Sequence, residues 1–129
     1  MIQIIWEFVI RAGAIGQFEQ EYGPNGAWSR LFQDYPGFRG TTLLRDADNP
    51  RRYLTIDLWD TRAHRKRMLT RGRKRYADLD AALADLTESE NEIGTFTTAP
   101  IATSRRRSTA KGRKVGGVRR ASRRTTRCS

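Results

Sequence analysis

The chain has one cysteine, one histidine and four prolines in 129 residues. Cys128 stands one residue from the end, which excludes an internal disulfide and a cysteine-rich metal site. With His64 as the lone histidine, the usual ligands of a zinc site are too few. No apolar run approaches the roughly 18–20 residues that cross a bilayer. The opening Met1-Ile-Gln-Ile-Ile-Trp-Glu7 has no basic stretch and is interrupted by Glu7, which argues against a secretory signal. A reducing, cytoplasmic setting is the expectation. Gly-x-Gly-x-x-Gly, Walker and Gly-x-Ser-x-Gly motifs are all absent, so nucleotide cradles and a Ser-His-Asp triad lack support.

Acids stop at Glu92 and aromatics at Phe96. Residues 1–98 hold 14 basic and 14 acidic side chains, whereas 99–129 hold 11 basic ones and no acid. The formal net charge of +11 is therefore that of the tail alone. Rich in Arg, Ser, Thr and Gly, the tail cannot bury enough apolar surface to offset its ordering entropy, and disorder is expected for 99–129. Its charge would bind phosphate polymers such as nucleic acid non-specifically, by counterion release. The same charge also fits a merely solubilising extension.

Within residues 1–98 the pattern is that of a small α+β domain. Ile2, Ile4, Trp6, Phe8 and Ile10 alternate with Gln3, Ile5, Glu7 and Val9, which predicts a strand. Ile15, Phe18 and Tyr22 predict one short helix; Trp28, Leu31, Phe32 and Tyr35 predict a second, after the Gly23-Pro24-Asn25-Gly26 turn. Phe38–Arg45 and Tyr53–Trp59 predict an antiparallel hairpin. Asp60 or Thr61 caps the next helix, whose stripe runs through Leu69, Tyr76, Leu79, Leu83 and Leu86, with Gly72 as a dividing point. Thr87–Glu90 is expected to be a cap or turn, and Glu92–Thr98 a last strand. The order β-α-α-β-β-α-(α)-β predicts a ferredoxin-like sheet with helices on one face. Tyr53, Thr55, Asp57 and Trp59 are expected on the sheet's outward face, with Trp6 or its odd-numbered neighbours, and a second copy of the chain is the expected cover.

Five blocks then resemble a known family. They are Trp6-Glu-Phe-Val, Phe18-Glu-x-x-Tyr-Gly-Pro-x-Gly-Ala-Trp28-x-x-Leu-Phe, Pro36-Gly-Phe-x-Gly-Thr-x-Leu-Leu-Arg45-Asp, Arg52-Tyr-Leu-Thr-Ile-Asp-x-Trp59 and Glu92-Ile-Gly-x-Phe96. Over residues 1–98 the chain is similar to antibiotic biosynthesis monooxygenase-like proteins, and 99–129 is unmatched. The resemblance implies a homodimeric α+β barrel with a four-stranded antiparallel sheet per protomer. The family's best-known chemistries are cofactor-free oxidation of polycyclic phenols to quinones and haem degradation, and many members have no assigned reaction. The haem-degrading branch uses an Asn, a Trp and a His where Glu7, Met68 and the Tyr76–Asp78 stretch stand here, so that chemistry is not expected.

Cofactor-free oxygenation needs a dry cavity, a base and a group that stabilises the enolate. Asp57 is the candidate base, Tyr53 the donor and Trp59 the stacking wall; Trp6, Arg45 and Thr55 are candidate substrate-binding residues, Arg45 holding the anion. A small aromatic or enolic ligand is the expected partner, with no metal or other cofactor. Each residue also has a structural reading: Trp6 and Trp59 as packing, Asp57 as an ion-pair partner, Trp28 and Tyr35 as core, His64 as a solvated helix residue. The alternative function is a non-catalytic ligand-binding dimer whose tail contacts nucleic acid.

Overall fold

Strand β1 (Ile2–Ile10) sets the frame, because every even-numbered side chain on it turns toward one layer of helices. The computed structural model describes residues 1–99. The expectations placed on the basic tail (disorder, nucleic-acid contact, any use of Cys128) lie outside those residues, apart from Ala99. After β1 come α1 (Ile15–Tyr22), α2 (Ala27–Gln33), the hairpin β2 (Phe38–Arg45) and β3 (Arg52–Trp59), α3 (Arg62–Arg71), α4 (Arg73–Leu83), a 3-10 turn (Ala84–Leu86) and β4 (Thr87–Phe96). The strands form one antiparallel sheet in the order β2-β3-β1-β4. This is the ferredoxin-like α+β arrangement. None of the described helices is long and apolar enough to cross a membrane.

Local chemistry explains the breaks. Thr61 caps α3 by accepting a hydrogen bond from the backbone N–H of His64 at 3.1 Å. Gly72 separates α3 from α4, and a Cβ there would lie 2.6 Å from the Tyr35 hydroxyl oxygen. The helical stripe differs from expectation at one place: Met68 is buried while Leu69 is only half-buried.

Thr87–Glu90 is strand rather than turn. The segment lies on an edge strand, where charged side chains are tolerated because the strand pairs on one side only. Two bulges in β4 adjust its phase. Ile5 faces Gly94 while Trp6 faces Glu92, leaving Ile93 as the extra residue; Val9 faces Ser89 while Ile10 faces Thr87, leaving Glu88 as the second.

The facing of β3 is corrected more substantially. Ile2 pairs with Trp59, Ile4 with Asp57, Trp6 with Thr55 and Phe8 with Tyr53, so all four β3 residues point into the helical layer rather than outward. Tyr53, Thr55 and Trp59 are buried there. The face away from the helices carries Ile5, Leu54, Ile56 and Leu58, with the exposed Leu44 and Phe96 beside them. Both rows of β3 carry large apolar side chains, so alternation alone gives the parity of the strand but not its facing. Packing decides it, since the broad rings of Tyr53 and Trp59 find Phe18 and Phe32 on the helices at 5.0 and 5.6 Å.

Gly37 tests the chain's entry into β2. Its φ is +92°, and a Cβ there would sit 2.3 Å from the His64 ring. Gly37→Ala is expected to cost about 1–3 kcal/mol in urea unfolding. Gly16→Ala, in a helix with open space around it, is expected to gain about 0.5–1 kcal/mol.

Candidate active site

A cavity of about 170 Å³ lies between the inward face of the sheet and the helices. Its floor is the central strand pair with β2 beside it: Trp6 and Phe8 from β1, Thr55 and Asp57 from β3, Thr41 from β2. Its roof is aromatic, with Tyr22 from α1, Trp28 and Phe32 from α2 and Tyr76 from α4. Asp80 and Glu90 complete the lining and are exposed, which puts them at its opening. The rings pack edge-on and tilted, Trp28 against Tyr76 at 4.8 Å and Phe8 against Tyr22 at 5.1 Å.

Asp57 is the carboxylate on the floor. Burial pushes its pKa from 3.8 up to about 6, opposed by a hydrogen bond donated by the Thr41 hydroxyl at 2.7 Å and by the positive field of Arg65. Burial likewise drives Tyr22 up to about 12, and raises Tyr76. Trp28 contributes an indole N–H that is buried with no hydrogen-bond partner; it lies near enough to the Tyr22 hydroxyl to pull that pKa slightly back. Among the described residues no three His, Cys, Asp or Glu side chains converge on a point where a metal ion could sit.

The residues singled out from sequence separate into three places. Trp6, Thr55 and Asp57 meet in the cavity. Tyr53, Arg45 and Trp59 do not reach it. The Tyr53 hydroxyl donates to Glu19, and Arg45 lies 3.6 Å from the same carboxylate, on the exposed end of the hairpin. Burial and then Glu19 raise the Tyr53 pKa, against a lowering by Arg45. Trp59 is enclosed by Phe32 and Phe38. Tyr22, Trp28, Tyr76, Asp80 and Glu90 were missed as site residues. The first three read as helical core stripes, Asp80 carried no pattern, and Glu90 lay in the segment expected to turn. The signal available was the number of large rings directed inward from β1, β2, β3, α1, α2 and α4.

The raised pKa of Asp57 has a sign for stability. The native state holds this proton more tightly than the unfolded chain, so stability falls as pH rises from about 4 to about 6, and the full penalty applies above. Asp57→Asn keeps an acceptor for Thr41 and removes the charge. Its thermal unfolding at about pH 8 is expected to show a gain of about 1–3 kcal/mol that shrinks toward zero at about pH 4.

Comparison with known proteins agrees with this architecture. SnoaB, a cofactor-independent oxygenase from Streptomyces nogalater, aligns with a TM-score of 0.63 and 25% identity, over 80% of this chain and 97% of that one. A candidate antibiotic biosynthesis monooxygenase from Bordetella bronchiseptica aligns with a TM-score of 0.63 and 20% identity, over 77% and 97%. Another, from Deinococcus radiodurans, aligns with a TM-score of 0.59 and 12% identity, over 81% and 99%. Curated proteins give no match. Residues 1–71, which run from the first strand through the end of α3 and include Asp57, match the Antibiotic biosynthesis monooxygenase family. With more than half its length so matched, on the same ferredoxin-like sheet, the chain belongs to the antibiotic biosynthesis monooxygenase family.

Proposed function

We propose that this protein is a cofactor-independent oxygenase that oxidises a small phenol or enol in the cavity between sheet and helices, with Asp57 as the base. The observation that carries the reading is a carboxylate with a pKa of about 6 on the floor of an aromatic cavity. Such a group is mostly ionised at neutral pH, yet basic enough to draw a proton from a hydroxyl held against it. The likeness to SnoaB supports the same chemistry.

The steps balance without a bound redox group. Asp57 accepts the hydroxyl proton, and the resulting phenolate gives one electron to molecular oxygen. Superoxide and the ring radical then join in a C–O bond. Loss of the ring proton with cleavage of the O–O bond leaves a quinone, and the second oxygen atom departs as water, carrying that ring proton and the proton returned by Asp57. The chain's own contribution is orientation and the exclusion of water. Thr41 fixes the Asp57 carboxylate, the walls Trp6, Phe8 and Tyr22 keep the ring dry, and the unpartnered Trp28 N–H is a donor for the developing oxyanion. Arg45, expected to hold that anion, is engaged at Glu19. Tyr53 and Trp59 act here as packing residues.

The acting form is proposed to be a homodimer that buries the open sheet face around Ile5, Leu54, Ile56 and Leu58. Leu44 and Phe96 on that face are 45% and 43% exposed in a single chain, a cost that a second sheet would remove. Ile56→Lys is expected to convert a dimer to a monomer in light scattering; an unchanged mass would place the interface elsewhere.

Oxygen uptake with a panel of small phenols and enolisable diketones tests the reaction. The rate is expected to rise through about pH 6 as Asp57 ionises, and to fall by about 10²–10⁴ in Asp57→Asn. Uptake that is absent throughout, or unchanged in Asp57→Asn, overturns the assignment.

A further inference from the structure

We infer that the cavity selects a single-ring substrate whose side chain ends in an ammonium group, held between Asp80 and Glu90 at the opening. The inference rests on the oxygenase reading only for the ring hydroxyl; size and charge come from the cavity itself. At about 170 Å³ it is close to the roughly 150 Å³ that accommodates benzene in an apolar cavity. It is far below the 300–1,000 Å³ of ordinary drug-sized sites. One ring fills that volume, and a fused polycycle would have to extend out through the mouth.

The charge argument is independent of size. Every charged side chain that lines the cavity is acidic: Asp57 on the floor, Asp80 and Glu90 at the mouth. Of the eleven carboxylates elsewhere, the eight of Glu7, Glu19, Asp34, Asp46, Asp60, Asp78, Glu88 and Glu92 stand within 4.0 Å of an arginine or lysine, and those of Glu21, Asp48 and Asp85 do not. Among the described residues the three cavity carboxylates have no such partner. Asp57 and Glu90 accept only hydroxyl hydrogen bonds, from Thr41 at 2.7 Å and Thr87 at 3.0 Å. The nearest cation in effect is Arg65, which pairs with Glu92 at 3.4 Å and stands outside the lining. The fields of Asp80 and Glu90 also reach inward, both pushing the Tyr22 phenol further up.

An anionic substrate would meet repulsion from all three carboxylates. A neutral one would leave the two carboxylates at the mouth without a partner. An ammonium group answers both, and the faces of Tyr22, Trp28 and Tyr76 are chemically suited to a cation that passes them.

Isothermal titration of the full-length chain at low salt tests this with four probes. They are 3-hydroxyphenethylamine, the neutral isostere 3-ethylphenol, the anionic 3-(3-hydroxyphenyl)propanoate, and 1-hydroxyanthracene for size. The amine is expected to bind at least tenfold tighter than 3-ethylphenol, the propanoate at least tenfold weaker, and the anthracene derivative not at all. In the Asp80→Asn/Glu90→Gln double variant the amine should fall to within threefold of 3-ethylphenol, whose own affinity stays unchanged. Comparable affinities for the three single-ring probes, preference for the propanoate, binding of the anthracene derivative, or an amine advantage that survives the double variant would each overturn the inference. Because binding is read without turnover, the predicted ranking in the absence of oxygen uptake would support this inference while removing the oxygenase reading. Uptake that favours the propanoate would do the reverse.

Discussion

The pairing of β1 with β3 is the constraint on which the site depends. Its register sets Ile4 opposite Asp57 and Trp6 opposite Thr55, so a carboxylate and an indole share one face of the central strands. A slip by one residue would exchange Tyr53, Thr55, Asp57 and Trp59 for Leu54, Ile56 and Leu58, and every side chain would change faces. Hydrophobicity opposes that slip weakly, because both rows of β3 carry large apolar side chains, Tyr53 and Trp59 on one and Leu54, Ile56 and Leu58 on the other. Ring packing on the inner face opposes it more strongly, and so do the ties of Arg52, which bonds Glu7 at 2.6 Å and Asp46 at 3.0 Å. These exposed pairs contribute little stability singly. Their effect is to make the alternative register lose several partners at once.

The cavity follows from what the helices bring to that face. Phe18 stacks on Tyr22 at 4.2 Å, and Phe32 stands against Trp59 at 5.6 Å. Aliphatic side chains in these places could fill the space to ordinary interior density. Rigid rings hold one another apart, and opposite them the sheet offers Thr41 and Thr55, too short to close the gap. The same crowding desolvates Asp57, so the void and the raised pKa of its carboxyl group have one origin.

Much of this was legible in the sequence. Alternation, helical stripes, the Gly-Pro turns and the Thr61 cap place nearly every element, because they are local signals. Asp57, Thr55 and Trp6 could be chosen as candidates because strand parity puts them in step. Facing was not legible: Leu54-x-Ile56-x-Leu58 looks as fit for a core as Tyr53-x-Thr55-x-Asp57-x-Trp59, and only the helices arbitrate. Nor was the first part of β4, Thr87–Glu90, whose polar composition reflects an edge position that depends on the order of strands in space. Tyr22, Trp28 and Tyr76 illustrate a third limit. A ring on a helical stripe has the same spacing whether it meets another side chain or an empty volume.

The bulge at Ile93 has a reach beyond local geometry. Counting back from the pair Gln3–Phe96, an unbroken ladder would set Glu90 opposite Val9, on the open face; the extra residue sets it opposite Phe8, over the cavity. One codon therefore decides whether that carboxylate borders the ligand space or the side where two sheets would meet. Insertion and deletion in an edge strand cost a fold little, since only one neighbour must adjust. Lineages sharing this architecture thus have a means of adding or removing one charge at the rim of their pockets in a single genetic event, without replacing any side chain in the core.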